Sequence, residues 1–313
     1  MQNKEVVTRF IDYLLSERRY SPLTVRNYRH DVLSFCAWGE TSAEGGKFSL
    51  LEVQREDIRE WIIYLSDERD ERGRRLRSVA SVNRAVASIR SMYKFLRREG
   101  LIERDVLVGL SLPHASRRLP AYVPESRMED VVRRVFQDLD SEEYRTSRDA
   151  LLVLVAYACG LRLAEVIGVD IEDFEDDFRL LRVWGKGSKE RIVPLVERLR
   201  TAIKRHVERF LEAKICKTAK NALFLSMRGE RISRSDVQRS VARLLRECGV
   251  QGKVSPHVLR HTFATRLLND GADMREIQEL LGHSSLRATQ VYTHNDIARL
   301  QRAYVTSHPR EQQ

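Results

Sequence analysis

Between Leu110 and Pro124 the chain reads LSLPHASRRLPAYVP, and this stretch limits the available folds more than any other. It holds three prolines and two arginines, and no apolar period runs through it. Proline removes a backbone donor and fixes φ, so neither a helix nor a central strand continues across such a segment. It reads as an interdomain linker. At 313 residues the chain exceeds the usual size of one compact core, so two domains are expected: residues 1–110, a linker over 111–124, and residues 125–313.

The first domain is written as helices. Val6, Val7, Phe10, Ile11, Leu14 and Leu15 recur at helical spacing, and Ser21 and Pro22 then supply an N-cap and a first-turn proline. The second helix carries Val25, Tyr28, Val32 and Phe35 and is expected to stop near Gly39. A third centres on Ile58, Trp61, Ile62 and Leu65, and a fourth runs from about Ser81 to Gly100. Downstream, helices are expected around Met128 to Phe136 and through DALLVLVAYACG. FRLLRVWGKGSKERIVPL reads instead as a β-hairpin, two β-prone runs around Gly185, Gly187 and Ser188. The fold class expected is therefore mainly α, with one small antiparallel β element.

Lys and Arg total 55 against 45 Asp and Glu, a formal net charge of +10. That balance suits a polyanionic partner such as nucleic acid, although charges interspersed at helical spacing, as in VERLRTAIKRHVERF, also serve as ordinary solvated faces. Cys36, Cys159, Cys216 and Cys248 are far apart with no CxxC pair, so neither a zinc module nor a disulfide framework is indicated. The N-terminal segment is amphipathic and charged where a signal peptide is continuously apolar, and no apolar run approaches a membrane span. A cytoplasmic protein with no membrane partner is expected.

SPHVLRHTFATRLL, beginning at Ser255, is the most informative short stretch. Ser255 suits an N-cap and Pro256 the first helical position, which puts His257 in the first turn and Arg260 one turn on. Both share a face continued by Ala264, while Leu259 and Phe263 lie toward another side and anchor the helix. Three readings fit. His257 and Arg260 can pair with buried carbonyls or carboxylates. His257 and His261 can bind a metal, although the zinc-hydrolase pattern needs a glutamate after the first histidine and Val258 stands there. The pair can also bind a phosphate, with arginine as a planar two-pronged donor and histidine as a proton donor or acceptor near neutral pH.

Four other segments bear on the choice. ACGLRLAEV places Arg162 at a helix start with Glu165 one turn further, and GKGSK raises Lys186 between two glycines. LLGHSS presents His283 and VYTH presents Tyr292. Taken singly, each has an ordinary role: an Arg162–Glu165 ion pair, an exposed turn lysine, a helix cap at His283, a core aromatic at Tyr292.

GLRLAE, GKG, HVLRH, LLGHSS and VYTH, in that order and at these intervals, closely resemble the tyrosine recombinase (phage integrase) family from about Leu110 onward. The helical first third resembles the family's core-binding, SAM-like domain more loosely. SPHVLRHTFATRLLNDGAD and AYVTSHPR point to the Xer subgroup. The resemblance implies a site-specific recombinase that cuts and rejoins DNA through a 3′-phosphotyrosyl intermediate and a Holliday junction, without metal, ATP or other cofactor. In that reading Tyr292 is the nucleophile, Arg162 and Arg260 clamp the phosphate, and His257 takes the tyrosine proton. His283 hydrogen-bonds the phosphate, Lys186 protonates the leaving oxygen with Lys189 as runner-up, and Glu165 orients its neighbours. Arg26, Arg29, Arg84, Arg90, Lys94 and Arg97, on polar helix sides of the first domain, are expected to hold DNA phosphates. Implied partners are a double-stranded recombination site, three further protomers of this chain or of a second Xer-type recombinase, and a DNA translocase as activator. Ile297, Leu300, Ala303 and Tyr304 form a short apolar stripe that suits docking on a neighbour or packing on its own domain.

A type IB topoisomerase and a mobile-element integrase share this chemistry. A non-catalytic DNA-binding protein would lack one or more of these residues, and none is missing.

Overall fold

The computed structural model describes residues 2–42, 46–113, 122–185, 190–212 and 221–282. The chain divides into two compact units, Met1–Arg118 and Leu119–Gln313.

The first unit is built on four long helices: α1 (Asn3–Ser16), α2 (Pro22–Ser42), α3 (Arg55–Asp67) and α4 (Val79–Arg98). Each turns one apolar stripe inward, and Phe10, Phe35, Trp61 and Tyr93 fill the core. Phe35 lies 4.9 Å from Trp61 and 5.3 Å from Phe48, ring centre to ring centre. Gly39 does not end α2, which continues to Ser42. A Cβ at Gly39 would fall 2.3 Å from the Phe48 ring, so glycine stands there for close approach rather than as a stop. The start of α4 also differs from expectation: Ser78 is the N-cap, and its Oγ accepts from the Ser81 backbone N–H at 3.2 Å.

The second unit wraps around α6 (Tyr144–Ala158), which is buried from Ser147 to Ala158. A helix apolar on every side belongs in the middle of a core, and α5 (Glu125–Leu139), α8 (Glu197–Glu212), α9 (Arg234–Glu247) and α10 (Pro256–Asn269) pack against it. Between α6 and α8 come the short α7 (Leu163–Gly168) and a three-stranded antiparallel sheet: β1 (Phe174–Glu175), β2 (Leu180–Trp184) and β3 (Glu190–Pro194). The hairpin is β2 and β3, in register Val183 to Arg191 and Leu181 to Val193. The two-residue β1 is too short to leave a period in the sequence. The last described helix, α11 (Met274–Leu281), ends at Gly282 with φ +62°. Among the described residues, no helix is long and apolar enough to cross a membrane.

Candidate active site

The site grows from the end of α6. Gly160 turns the chain at φ +57°, where a Cβ would lie 2.6 Å from Phe263 Cδ1 and 2.9 Å from Leu281 Cδ2. Glycine alone meets both demands. The turn delivers Arg162 as the N-cap of α7 and Glu165 as its third residue. Glu165 Oε2 accepts the Arg162 backbone N–H at 2.8 Å, the return half of a capping box, and Oε1 accepts Arg162 Nη1 at 2.7 Å.

A second arginine completes the carboxylate. Arg191 on β3 donates Nη1 to Glu165 Oε1 at 3.0 Å and Nη2 to Oε2 at 2.7 Å. Arg260, one turn into α10, brings Nη1 to 3.8 Å from Glu165 Oε2 and donates the same nitrogen to the Gly160 carbonyl at 2.6 Å. Three guanidiniums thus surround one carboxylate, a net charge of +2 over these four side chains.

The end of α11 ties the group together. Arg191 Nε donates to Leu280 O at 2.8 Å, Arg260 Nη2 to Leu281 O at 2.5 Å and Arg162 Nη2 to Gly282 O at 3.0 Å. Helix C-termini leave their last carbonyls without intrahelical donors and carry partial negative charge, so three successive carbonyls suit three cations. The side chains of Glu165 and Arg191 are 3% and 4% exposed, whereas that of Arg162 is 33% exposed, so the cluster opens to solvent at Arg162.

Burial by itself would raise the Glu165 carboxyl; the Arg191 hydrogen bonds and charge, then the Arg162 bonds, outweigh it and hold the group down at about 2. Burial first, then the Arg162 charge, pull Arg260 down to about 10, with Glu165 acting in the opposite direction. Both groups stay ionised at neutral pH.

His257 is exposed in the first turn of α10, while Val258, Leu259 and Phe263 are buried. Ser255 holds the N-cap position, but its Oγ makes no capping bond and is buried without a partner. Its carbonyl accepts the Val258 N–H instead, at 2.9 Å. Arg260 does pair with buried carbonyls, so that reading of the segment describes part of what is observed. Lys186, Lys189, His283 and Tyr292 lie outside the described residues, as does the apolar stripe from Ile297 to Tyr304.

Sequence reasoning missed Arg191. Its signal was in the hairpin: with side chains alternating along β3, Arg191 shares the inner face with Val193. In the first unit, Arg26, Arg29, Arg84, Lys94 and Arg97 are exposed and Arg90 is half-buried. Arg84 has a partner the sequence did not reveal, donating to the buried Asp31 carboxylate at 3.1 Å, which also accepts from Ser88 Oγ at 2.7 Å.

Both units match described families. Residues 127–299 match the phage integrase family and residues 7–100 match the phage integrase N-terminal SAM-like domain. The tyrosine recombinase XerC of Myxococcus xanthus is 37% identical over 311 residues, covering 97% of this chain and 98% of that protein. The XerC of Pelotomaculum thermopropionicum is 33% identical with the same coverage. Among solved structures, the XerH site-specific recombinase bound to palindromic difH substrate superposes with a TM-score of 0.69 at 22% identity, over 95% of this chain and 83% of that one. Fold, arginine cluster and matches together define a two-part enzyme of DNA recombination. The chain belongs to the phage integrase family, the tyrosine recombinases, and it catalyses site-specific recombination.

Proposed function

We propose that this recombinase cleaves one DNA strand at a time with Tyr292, in a pocket whose positive charge comes from Arg162 and Arg260, and that it resolves chromosome or plasmid dimers as Xer proteins do. The observation that carries the reading is the convergence of Arg162 and Arg260 on Glu165 and on adjacent carbonyls of α11, with net charge to spare. A phosphodiester offers the counter-charge this cluster lacks, and forked guanidinium donors match its non-bridging oxygens.

In this scheme the Tyr292 oxygen bonds to phosphorus as the bond from phosphorus to the 5′ oxygen breaks. The phenol proton passes to His257, exposed at the start of α10. The departing 5′ oxygen takes a proton from Lys186, with Lys189 the alternative donor, and His283 hydrogen-bonds the phosphate. The products are a 3′-phosphotyrosine and a free 5′ hydroxyl. One phosphodiester has replaced another, so religation by an incoming 5′ hydroxyl needs no ATP, and two rounds pass through a Holliday junction. Glu165 holds Arg162 and touches no substrate.

Arg26, Arg29, Arg84, Arg90, Lys94 and Arg97 would grip phosphates from the first domain, residues 1–110, while residues 125–313 do the chemistry. The partners proposed are a double-stranded site, three further protomers of this or a second Xer-type chain, and a translocase that switches the complex on. The cytoplasm is the compartment that fits such a substrate.

The test uses the full chain, EDTA and a duplex selected by the protein from a random-sequence pool, nicked beside the exchange point. A covalent protein–DNA band on a denaturing gel is expected from the wild type, and Tyr292→Phe should bind without forming it. An undiminished band from Tyr292→Phe would reject the nucleophile.

A further inference from the structure

We infer that Arg191 is a positioning residue for strand cleavage: from β3 it locks Glu165, and through Glu165 and the end of α11 it holds Arg162 in the orientation that grips the phosphate. This rests on the reading above, in which Arg162 and Arg260 are the clamp.

The position argues against a purely stabilising role. Arg191 occupies an inward site of a short strand, cross-strand from Val183 and two residues from Val193. An apolar side chain would fill such a site without desolvating a charge, and buried ion pairs return little net stability compared with well-packed apolar residues. Here a 4% exposed guanidinium spends its fork on one carboxylate and its remaining Nε–H on the Leu280 carbonyl. What this arrangement supplies is geometry. Both oxygens of Glu165 are fixed, so the carboxylate that receives Arg162 cannot rotate.

The α11 end is fixed in the same stroke. A Cβ on Gly282 would stand 3.2 Å from Arg191 Cδ, 3.3 Å from Arg191 Nη1 and 3.7 Å from Arg162 Nη1. The chain therefore leaves α11 directly against these two guanidiniums, and His283 is the next residue in sequence. Electrostatics agree with the geometry: Arg191 is the main influence opposing the burial of Glu165. Without it, Arg162 and the more distant Arg260 are left to balance the carboxylate, and the charge available to a phosphate falls.

One rival explanation is specific. Arg191 lies five residues after Lys186 in the sequence, so its loss could act by displacing the proposed proton donor instead. Sulfur at the 5′ bridging position separates the two, because a thiolate leaves without a proton (thiol pKa about 8.5) whereas an alkoxide does not.

The experiment measures single-turnover cleavage by the full chain of the selected nicked duplex, with oxygen or sulfur at the scissile 5′ position, for wild type, Arg191→Met and Arg191→Lys. Thermal melts and gel shifts run alongside. Arg191→Met should bind the duplex within about twofold of wild type and cleave it about 10²-fold more slowly, the loss expected from a small misplacement of a reacting group. Arg191→Lys should recover only part of the rate, since an ammonium cannot fork. Sulfur should leave the deficit of both variants in place. The acid limb of the pH profile should lie at higher pH in Arg191→Met than in wild type, as Glu165 loses the main partner that opposes its burial. Wild-type cleavage by Arg191→Met would overturn the inference, as would restoration by sulfur. If Arg191→Met melts before the assay temperature, Arg191→Lys decides: a wild-type rate overturns, and a sulfur-insensitive deficit supports. A Tyr292→Phe protein that still forms the adduct would sink the underlying reading instead, independently of any Arg191 result.

Discussion

Arg260 donates through Nη2 to the carbonyl oxygen of Leu281 at 2.5 Å, so this buried cation is held chiefly by backbone. A carbonyl fixes a guanidinium without cancelling its charge. Burial and the nearby Arg162 push Arg260 down to about 10, which marks a cation short of counter-charge. In the proposed mechanism a phosphate supplies it, and the cost of keeping the charge buried is recovered on binding.

Replacing Arg260 by lysine should therefore cost far more in cleavage than in affinity. Removing one preorganised donor from a transition-state oxygen is worth about 2.7–4 kcal/mol, or roughly 10²–10³ in rate. Single-turnover cleavage and gel-shift affinity of Arg260→Lys, measured on one duplex, check this. Parallel losses in both would show that Arg260 serves binding alone.

Gly160→Ala should destabilise the second unit and the site together. The added Cβ meets Phe263 Cδ1 at 2.6 Å and Leu281 Cδ2 at 2.9 Å at a backbone φ of +57°. Overpacking of this kind costs about 1–3 kcal/mol, and the carbonyl that receives Arg260 moves with it. Urea unfolding of the full chain would register the lower midpoint.

The long helices of the first unit were legible because each has one apolar stripe, and α2 adds the Ser21–Pro22 start signal. Gly39 misled because its role is set by Phe48, nine residues away and invisible to helical periodicity. Arg162, Glu165 and Arg260 stood out at helix starts in a recognisable order. Arg191 did not, since an arginine beside a hairpin tip looks like a solvent-facing residue until the strand is counted in twos from Val193. The contact of Arg162 with the Gly282 carbonyl spans 120 positions, a separation at which no local pattern speaks.

Acid should unfold the second unit in two stages. His206 is buried against Leu223 O, and burial lowers its imidazole from 6.5 to about 4. The unfolded chain binds that proton first, so stability is full above pH 6.5 and falls as pH drops toward 4, by about 3 kcal/mol over the whole window. His206→Gln should remove that stage. Glu165, lowered from 4.5 to about 2, contributes stability present above pH 4.5 and lost as pH falls through 2. Glu165→Gln should flatten this lower stage, and unfolding midpoints taken against pH check both.

Lys186 and Lys189 can be told apart by the leaving group. If Lys186 delivers the proton, Lys186→Ala should cleave an oxygen-bridged duplex about 10²–10⁴-fold more slowly and a 5′-sulfur-bridged one near the wild-type rate. Lys189→Ala should behave as wild type on both. The opposite pattern would transfer the role to Lys189.

The identity of the covalent link tests the account most directly. The adduct formed in EDTA is digested with protease and nuclease, and the modified peptide is sequenced by mass spectrometry. A nucleotide joined through its 3′ phosphate to Tyr292 is the predicted result. A 5′ linkage, or a nucleotide on any other residue, would contradict it.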